Sequence, residues 1–152
     1  MSEEEIIKAH DELMDALGFK CQKCGFCCHI PIASEGFFPL LESDYHRIKN
    51  KRNIKRGNYN VRWVYGCLKH RDDRSCMFLK NNICEIYKDR PFLCRLYPIQ
   101  LLTTDKIEVN DGCKWVKDNI GLFALRPSKK INELYNRYIQ LMSIFKQNKK
   151  KM

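Results

Sequence analysis

Apolar residues recur at helical spacing near the start of the chain. Ile6, Leu13 and Leu17 form one stripe with Ile7 and Met14 beside it, the pattern of an amphipathic helix. Ser2 followed by Glu5 is a capping-box pair, in which each side chain can bond the other's backbone N–H. Gly18 supplies a C-cap, so a helix delivers the chain to Cys21. At the other end, Ser128 caps a helix over about 128–147 that carries Ile131, Leu134, Tyr135, Tyr138, Met142 and Phe145 on one face. Between them the pattern shortens. HIPIA (29–33) and VRWVYGCL (61–68) read as strands, and Ser43 opens a modest helix through about Asn50. CMFL and ICEIY flank Lys80-Asn81-Asn82 as a hairpin with an asparagine turn. IQLLT and KIEV around Thr104-Asp105 suggest a second hairpin. Pro91 suits the first turn of a short helix, where its missing N–H costs little, and Pro98 stops that helix. The expected fold is α+β: a small, loop-rich cysteine-cluster domain with short hairpins, flanked by N- and C-terminal helices. One domain over 1–152 is expected, with its cysteine core at about 19–118.

Composition adds one decisive feature. The chain has nine cysteines in 152 residues. The N-terminus, MSEEEIIKAHDELMDAL, is acidic and amphipathic, without the basic and apolar regions of an export signal. An odd cysteine count fits a closed disulfide framework badly. No stretch approaches the roughly 20 apolar residues of a membrane span. These features predict a cytoplasmic protein, and in a reducing compartment clustered cysteines bind metal or do redox chemistry.

The net charge of +10 is confined to two places. Residues 47–56, RIKNKRNIKR, hold six positive charges and no acid, and the tail KQNKKKM holds four more. Either run could meet an acidic protein surface or phosphate. Aromatics occur only at their borders, so no stacking platform for single strands is evident and nucleic acid is not the favoured partner.

Residues 21–28 read CQKCGFCC. Two thiols three positions apart reach one ion from a single turn, and a distant second group closes the shell. Cys21, Cys24 and Cys27 also match the C-x-x-C-x-x-C run that, with a remote fourth cysteine, holds a cubane iron–sulfur cluster. The later cysteines are Cys67, Cys76, Cys84, Cys94 and Cys113. Zinc and a cluster both remain open. Cys27 and Cys28 are adjacent, and neighbouring side chains in extended chain point to opposite sides and are expected to diverge even in a turn. They are expected to face two sites, or to divide into a ligand and a reactive thiol. Four thiolates around a metal leave net negative charge that needs compensation. Arg90 and Arg95 bracket Cys94 and could donate to sulfur. If Pro91 starts a helix, Cys94 lies in its first turn, where the helix dipole favours thiolate. Cys67 reads as packed or spare. His29 is the one histidine beside a motif, His70 lies in a charged loop, and Tyr87 and Tyr97 suit packing around the site.

CQKCGFCC resembles the opening signature of the CxxCxxCC cysteine-cluster proteins, the YkgJ-type zinc- or iron-chelating domains. Cys76-Met-Phe-Leu, Cys84-Glu-Ile-Tyr87, Arg90-Pro91-Phe-Leu-Cys94-Arg95-Leu-Tyr97-Pro98 and Cys113 resemble its later block. The resemblance implies zinc or an iron–sulfur (4Fe-4S) cluster as cofactor. The candidate ligands are Cys21, Cys24, Cys27, Cys28, Cys76, Cys84, Cys94 and Cys113. Some larger relatives look like flagellin lysine N-methylases, but this chain shows no glycine-rich nucleotide or S-adenosylmethionine loop. Three functions follow: a metal or iron–sulfur protein, a redox or methylation-related enzyme with a reactive cysteine, and a zinc-stabilised nucleic-acid module. No paired-carboxylate, Ser-His-Asp or phosphate-loop pattern supports a hydrolase or kinase.

Overall fold

The protein is described by a computed structural model covering residues 3–21, 25–29, 38–55, 65–101, 107–109, 112–121 and 128–150. In chain order the elements are α1 (Glu3–Leu17), a 3-10 turn (Phe26–Cys28), β1 (Phe38–Leu40), α2 (Glu42–Ile48), β2 (Ile54–Lys55) and β3 (Gly66–Leu68). There follow β4 (Leu79–Lys80), β5 (Ile83–Cys84), a 3-10 turn (Tyr87–Asp89), α3 (Phe92–Arg95), β6 (Ile99–Leu101), β7 (Ile107–Val109), α4 (Lys114–Asp118) and α5 (Lys129–Lys150). This is an α+β fold with terminal helices and small antiparallel sheets. Two compact units divide it, one of residues 1–22 with 98–152, the other of residues 23–97.

The first unit is built on the two amphipathic helices. α1 buries Ile6, Ala9, His10, Leu13, Met14 and Leu17, and it packs against α5. Gly18 ends it in the left-handed conformation, φ +73°. Gly18 N–H bonds the Asp15 carbonyl at 3.1 Å and Phe19 N–H bonds the Met14 carbonyl at 3.0 Å, the two bonds of a Schellman cap. Ser128 caps α5 as expected, its hydroxyl accepting the Ile131 N–H at 3.1 Å. Tyr138, Met142 and Phe145 are buried, whereas Ile131, Leu134 and Tyr135 are only half-buried. The Tyr138 hydroxyl donates to the Ile99 carbonyl at 2.5 Å, so the helix is tied to β6. β6 and β7 pair antiparallel, Ile99 opposite Val109, as the hairpin pattern predicts. The turn at 102–106 lies outside the described residues.

The second unit has a three-stranded sheet, ordered β1-β3-β2, and the hairpin β4-β5. Asn81 and Asn82 take φ of 51° and 62°, the left-handed pair that a two-residue hairpin turn requires. The core is Phe38, Leu40, Ile48, Leu68, Cys76, Phe78 and Ile86, with Cys28, Ile54 and Cys84 packed against it. Of VRWVYGCL, residues 66–68 form strand and 61–64 lie outside the described residues; of HIPIA, His29 makes an isolated bridge to Ser75 and the remainder lies outside them.

Helix α2 begins at Glu42, with Leu41 rather than Ser43 at its N-cap, and ends at Ile48. The reason is Asp44, a fully buried carboxylate. Its Oδ2 accepts the Leu41 N–H at 2.9 Å, and Oδ1 accepts Arg47 Nη2 at 2.8 Å and the Phe92 N–H at 3.0 Å. Arg47 also donates to the carbonyls of Arg90 at 3.0 Å and Asp89 at 3.4 Å. Arg47 is thus no solvated linker charge but half of a clamp that ties α2 to the segment carrying Arg90 and Cys94. Pro91 stands just before α3 as its N-cap, ψ 152°, instead of inside its first turn. No helix among the described residues is long and apolar enough to cross a membrane.

Asp44→Asn keeps one acceptor oxygen and sets an NH2 group either against the Leu41 N–H or against the Phe92 N–H and Arg47, and it removes the charge paired with Arg47. It is expected to lower stability by about 2–3 kcal/mol, measured by urea denaturation. A change within about 0.5 kcal/mol would show that the clamp is redundant.

Candidate metal centre

The site is assembled from three stretches of the second unit. The first is the turn Gly25–His29. Gly25 has φ +73°, and a Cβ there would stand 2.9 Å from Asn82 Oδ1 and 3.4 Å from Asn82 Cα. Glycine is needed twice over, for the backbone angle and for close approach to the β4-β5 turn. Cys28 N–H bonds the Gly25 carbonyl at 3.0 Å, closing the 3-10 turn. His29 Nδ1–H donates to that same carbonyl at 2.9 Å. The second stretch runs from His70 to the hairpin. Cys76 N–H bonds the Cys28 carbonyl at 2.6 Å. Arg71 reaches back across its loop to the carbonyls of Cys76 at 2.8 Å and Met77 at 3.2 Å, and to Ser75 Oγ at 3.2 Å. The third is the segment Arg90–Cys94, anchored by Asp44 as above.

These contacts bring Cys27, Cys28, Cys76, Cys84 and Cys94 together as reduced thiols. Cys28 lies in the middle, within hydrogen-bonding reach of both Cys27 and Cys84. The neighbours Cys27 and Cys28 therefore approach each other instead of splaying apart. The tight turn separates successive side chains by about 120°, not the 180° of a strand. Donation from Cys28, with a smaller contribution from Arg90, lowers the Cys27 thiol to about 7 against the opposing effects of burial and Cys84. Cys84 is also lowered to about 7, first by Cys28, then by the Ile86 N–H and Arg90. Cys28, as the shared donor, is pushed far up. It has a single proton, so it serves one partner fully or both partly, and the three thiols ionise as a unit. Burial pushes Cys76 up to about 11, partly offset by the Phe78 N–H, which donates to its sulfur at 3.5 Å. Cys94 is held well above the ordinary thiol range, chiefly by burial and then by Cys76, Cys27 and Cys84. The expectation that a helix start would favour its thiolate is overturned, because α3 has only four residues and burial dominates.

Arg90 and Arg95 part company. The Arg90 guanidinium lies over the Tyr87 ring at 3.9 Å, beside Cys27 and Cys84. Its Nε is buried with no hydrogen-bond partner among the described residues. Arg95 instead donates to the Lys88 carbonyl at 3.0 Å. Cys67 is buried in β3. Exposed His70 donates from Nδ1 to the Arg71 carbonyl at 2.9 Å. Cys24 lies outside the described residues, and Cys21 and Cys113 belong to the first unit. Sequence reading passed over Asp44, Arg71 and the contact of Gly25 with Asn82. The one trace of Asp44 in the sequence is an acid at the third position of a helix whose cap is a leucine.

A family model named CxxCxxCC, described as a "Putative zinc- or iron-chelating domain", matches residues 20–120. The chain belongs to the CxxCxxCC family. It is also similar to the uncharacterized protein MJ0661 of Methanocaldococcus jannaschii, at 27% identity over 135 residues, covering 87% of this chain and 72% of that one. No solved structure matches it. A CxxCxxCC domain implies zinc or iron, and this donor set suits either: five soft thiols, two of them lowered, with N–H groups directed at sulfur. The orphaned Arg90 Nε is a further donor that a metal-bound sulfur would satisfy. Among the described residues, no group of three or more Cys, His, Asp or Glu side chains stands close enough to hold a metal ion as placed, so binding would require these side chains to draw together.

Gly25→Ala and Gly18→Ala make a matched pair. Both positions have φ +73°, but nothing lies within 4 Å of a Cβ at Gly18. Gly18→Ala is expected to cost about 1–2 kcal/mol from backbone strain alone. Gly25→Ala is expected to cost about 1 kcal/mol more and to weaken metal retention. Equal losses in urea denaturation would show that the approach to Asn82 does not position the thiols.

Proposed function

We infer that this protein holds an iron–sulfur cluster, a cubane, through its clustered cysteines, with zinc as the competing occupant. The observation that carries the reading is the gathering of Cys27, Cys28, Cys76, Cys84 and Cys94 beside the unsatisfied Nε of Arg90. A cluster needs four thiolates and presents sulfides that accept N–H bonds, and such bonds tune its potential. In this reading Cys27, Cys76, Cys84 and Cys94 are the ligands supplied by residues 23–97, and Arg90 donates to sulfur. Cys28 supplies a reserve ligand, and Cys21, Cys24 and Cys113 are further candidates. The group when bound would supply one-electron chemistry or a structural clamp. A thiol site of this kind implies reducing, cytoplasmic surroundings.

The deciding measurement is iron, zinc and acid-labile sulfide per chain on protein purified without oxygen or affinity tag. About four iron and four sulfide are expected. About one zinc without sulfide overturns the cluster and keeps the thiol centre; no metal at all overturns both. Cys84→Ser should lower the content several-fold, and Cys67→Ser should leave it intact.

A second reading, a redox or methylation-related enzyme with a reactive cysteine, is favoured by one observation. Cys27 is exposed, and its thiol is lowered to about 7. Alkylation of the metal-loaded protein separates the two: a single fast-modified cysteine, found by mass spectrometry, supports the enzyme. Uniform protection of the five thiols removes it.

A further inference from the structure

Outside the thiol site, the second unit carries an aromatic group that chain order conceals. Tyr45 and His46 lie on α2 and Tyr65 just before β3. The rings of Tyr45 and Tyr65 meet edge to face at 4.7 Å between centroids. His46 stands 5.7 Å from Tyr45 and 6.0 Å from Tyr65, tilted 35° to the latter. Tyr65 remains 41% exposed and the His46 side chain 55% exposed. The β1-β3 pairing holds this arrangement, with the Tyr65 N–H bonded to the Leu40 carbonyl at 2.5 Å.

The same end of α2 carries charge. Lys49 follows His46 by three positions and Tyr45 by four, which places it on their face of the helix. Lys51, Arg52 and Lys55 come next and are exposed. Arg47 is spent on Asp44 and two carbonyls, so it does not belong to this set. Among the described residues, Glu42 pairs with the group, 3.6 Å from His46 Nε2.

We propose that Tyr65 and His46, with Lys49, Lys51 and Arg52, form a binding surface for single-stranded nucleic acid. Part-exposed aromatic rings stack bases whatever their identity, while lysine and arginine neutralise phosphates. An acidic protein surface would use the charges but has no need of exposed aromatics. A membrane would call for an amphipathic apolar face, which α2 with its charged and half-exposed residues lacks. None of these residues is a candidate metal ligand, so the proposal does not rest on the metal reading.

The test is fluorescence anisotropy of labelled oligo(dT) and oligo(U) of about 20 nucleotides, on the full chain as purified, with metal content measured in parallel. Binding is expected at low salt. Three or four phosphate contacts give a slope of log affinity against log salt of about −2 to −3. Tyr65→Ala should weaken binding about tenfold or more while Tyr65→Phe retains most of it. The pair Lys51→Ala with Arg52→Ala should flatten the slope by about 1–1.5. Equal affinity for duplex of the same length, untouched by Tyr65→Ala, overturns the proposal in favour of mere charge. So does absence of binding at low salt, and so does tighter binding to phosphatidylserine vesicles that depends on the same lysines.

Discussion

Five sulfurs in one partly dry place cannot all carry charge. Each thiolate raises the cost of the next, and burial raises it again. Hydrogen bonding and burial divide the sulfurs: donation from Cys28 lowers Cys27 and Cys84, while burial raises Cys76 and Cys94. The Arg90 cation acts on Cys27 and Cys84 together. A divalent ion or an iron–sulfur core would replace thiol protons with fixed positive charge, the exchange by which metal binding releases protons.

In residues 23–97 the contacts that position the sulfur-bearing segments are hydrogen bonds to backbone rather than broad packing. The strands of this unit are two or three residues long. Strands so short contribute little by pairing alone. Asp44 with Arg47 fixes the Arg90–Cys94 segment, Arg71 closes the loop before Cys76, and the Gly25 carbonyl accepts from both Cys28 and His29. Buried polar links of this kind are directional, and one missing partner leaves a desolvated group unpaired. They set geometry more strictly than a small apolar core could, which is what ligand positions require.

Regular elements could be read from the sequence wherever one local rule governed them. The caps at Gly18 and Ser128, the stripes of α1 and α5 and the Asn81-Asn82 turn each depend on neighbours a few residues away. The cysteines announced a site by spacing alone. What could not be read depended on long-range pairing. Asp44 meets Phe92 across 48 positions, and Arg47 meets Arg90 across 43. No periodicity encodes such a partner, so Arg47 passed for one more charge in a basic run. The adjacent cysteines misled for a related reason. Neighbours are expected to point apart in a strand and to diverge even in a turn, but in the 3-10 turn that Gly25 permits the two thiols come within hydrogen-bonding reach. Likewise Tyr65 acquires its ring partners only when β3 returns beside β1.

The two arginines flanking Cys94 show how a local turn decides between roles that composition cannot separate. Both are one residue type and both lie within a turn of the same cysteine, and sequence alone favours Arg95 over Arg90 as the partner of sulfur, since Arg90 suits a surface ion pair with Asp89 or Glu85 equally well. The backbone at Arg90 is extended, φ −57° and ψ 150°. Its guanidinium is held by the Tyr87 ring beside Cys27 and Cys84, with its Nε left without an acceptor. Arg95 ends α3, and its guanidinium bonds the carbonyl of Lys88. An unsatisfied buried donor costs roughly 1–3 kcal/mol, and a fold keeps one only where something repays that cost. Here a sulfur made anionic by metal would be that acceptor, which makes Arg90 the residue through which the protein would sense and tune whatever the cysteines hold.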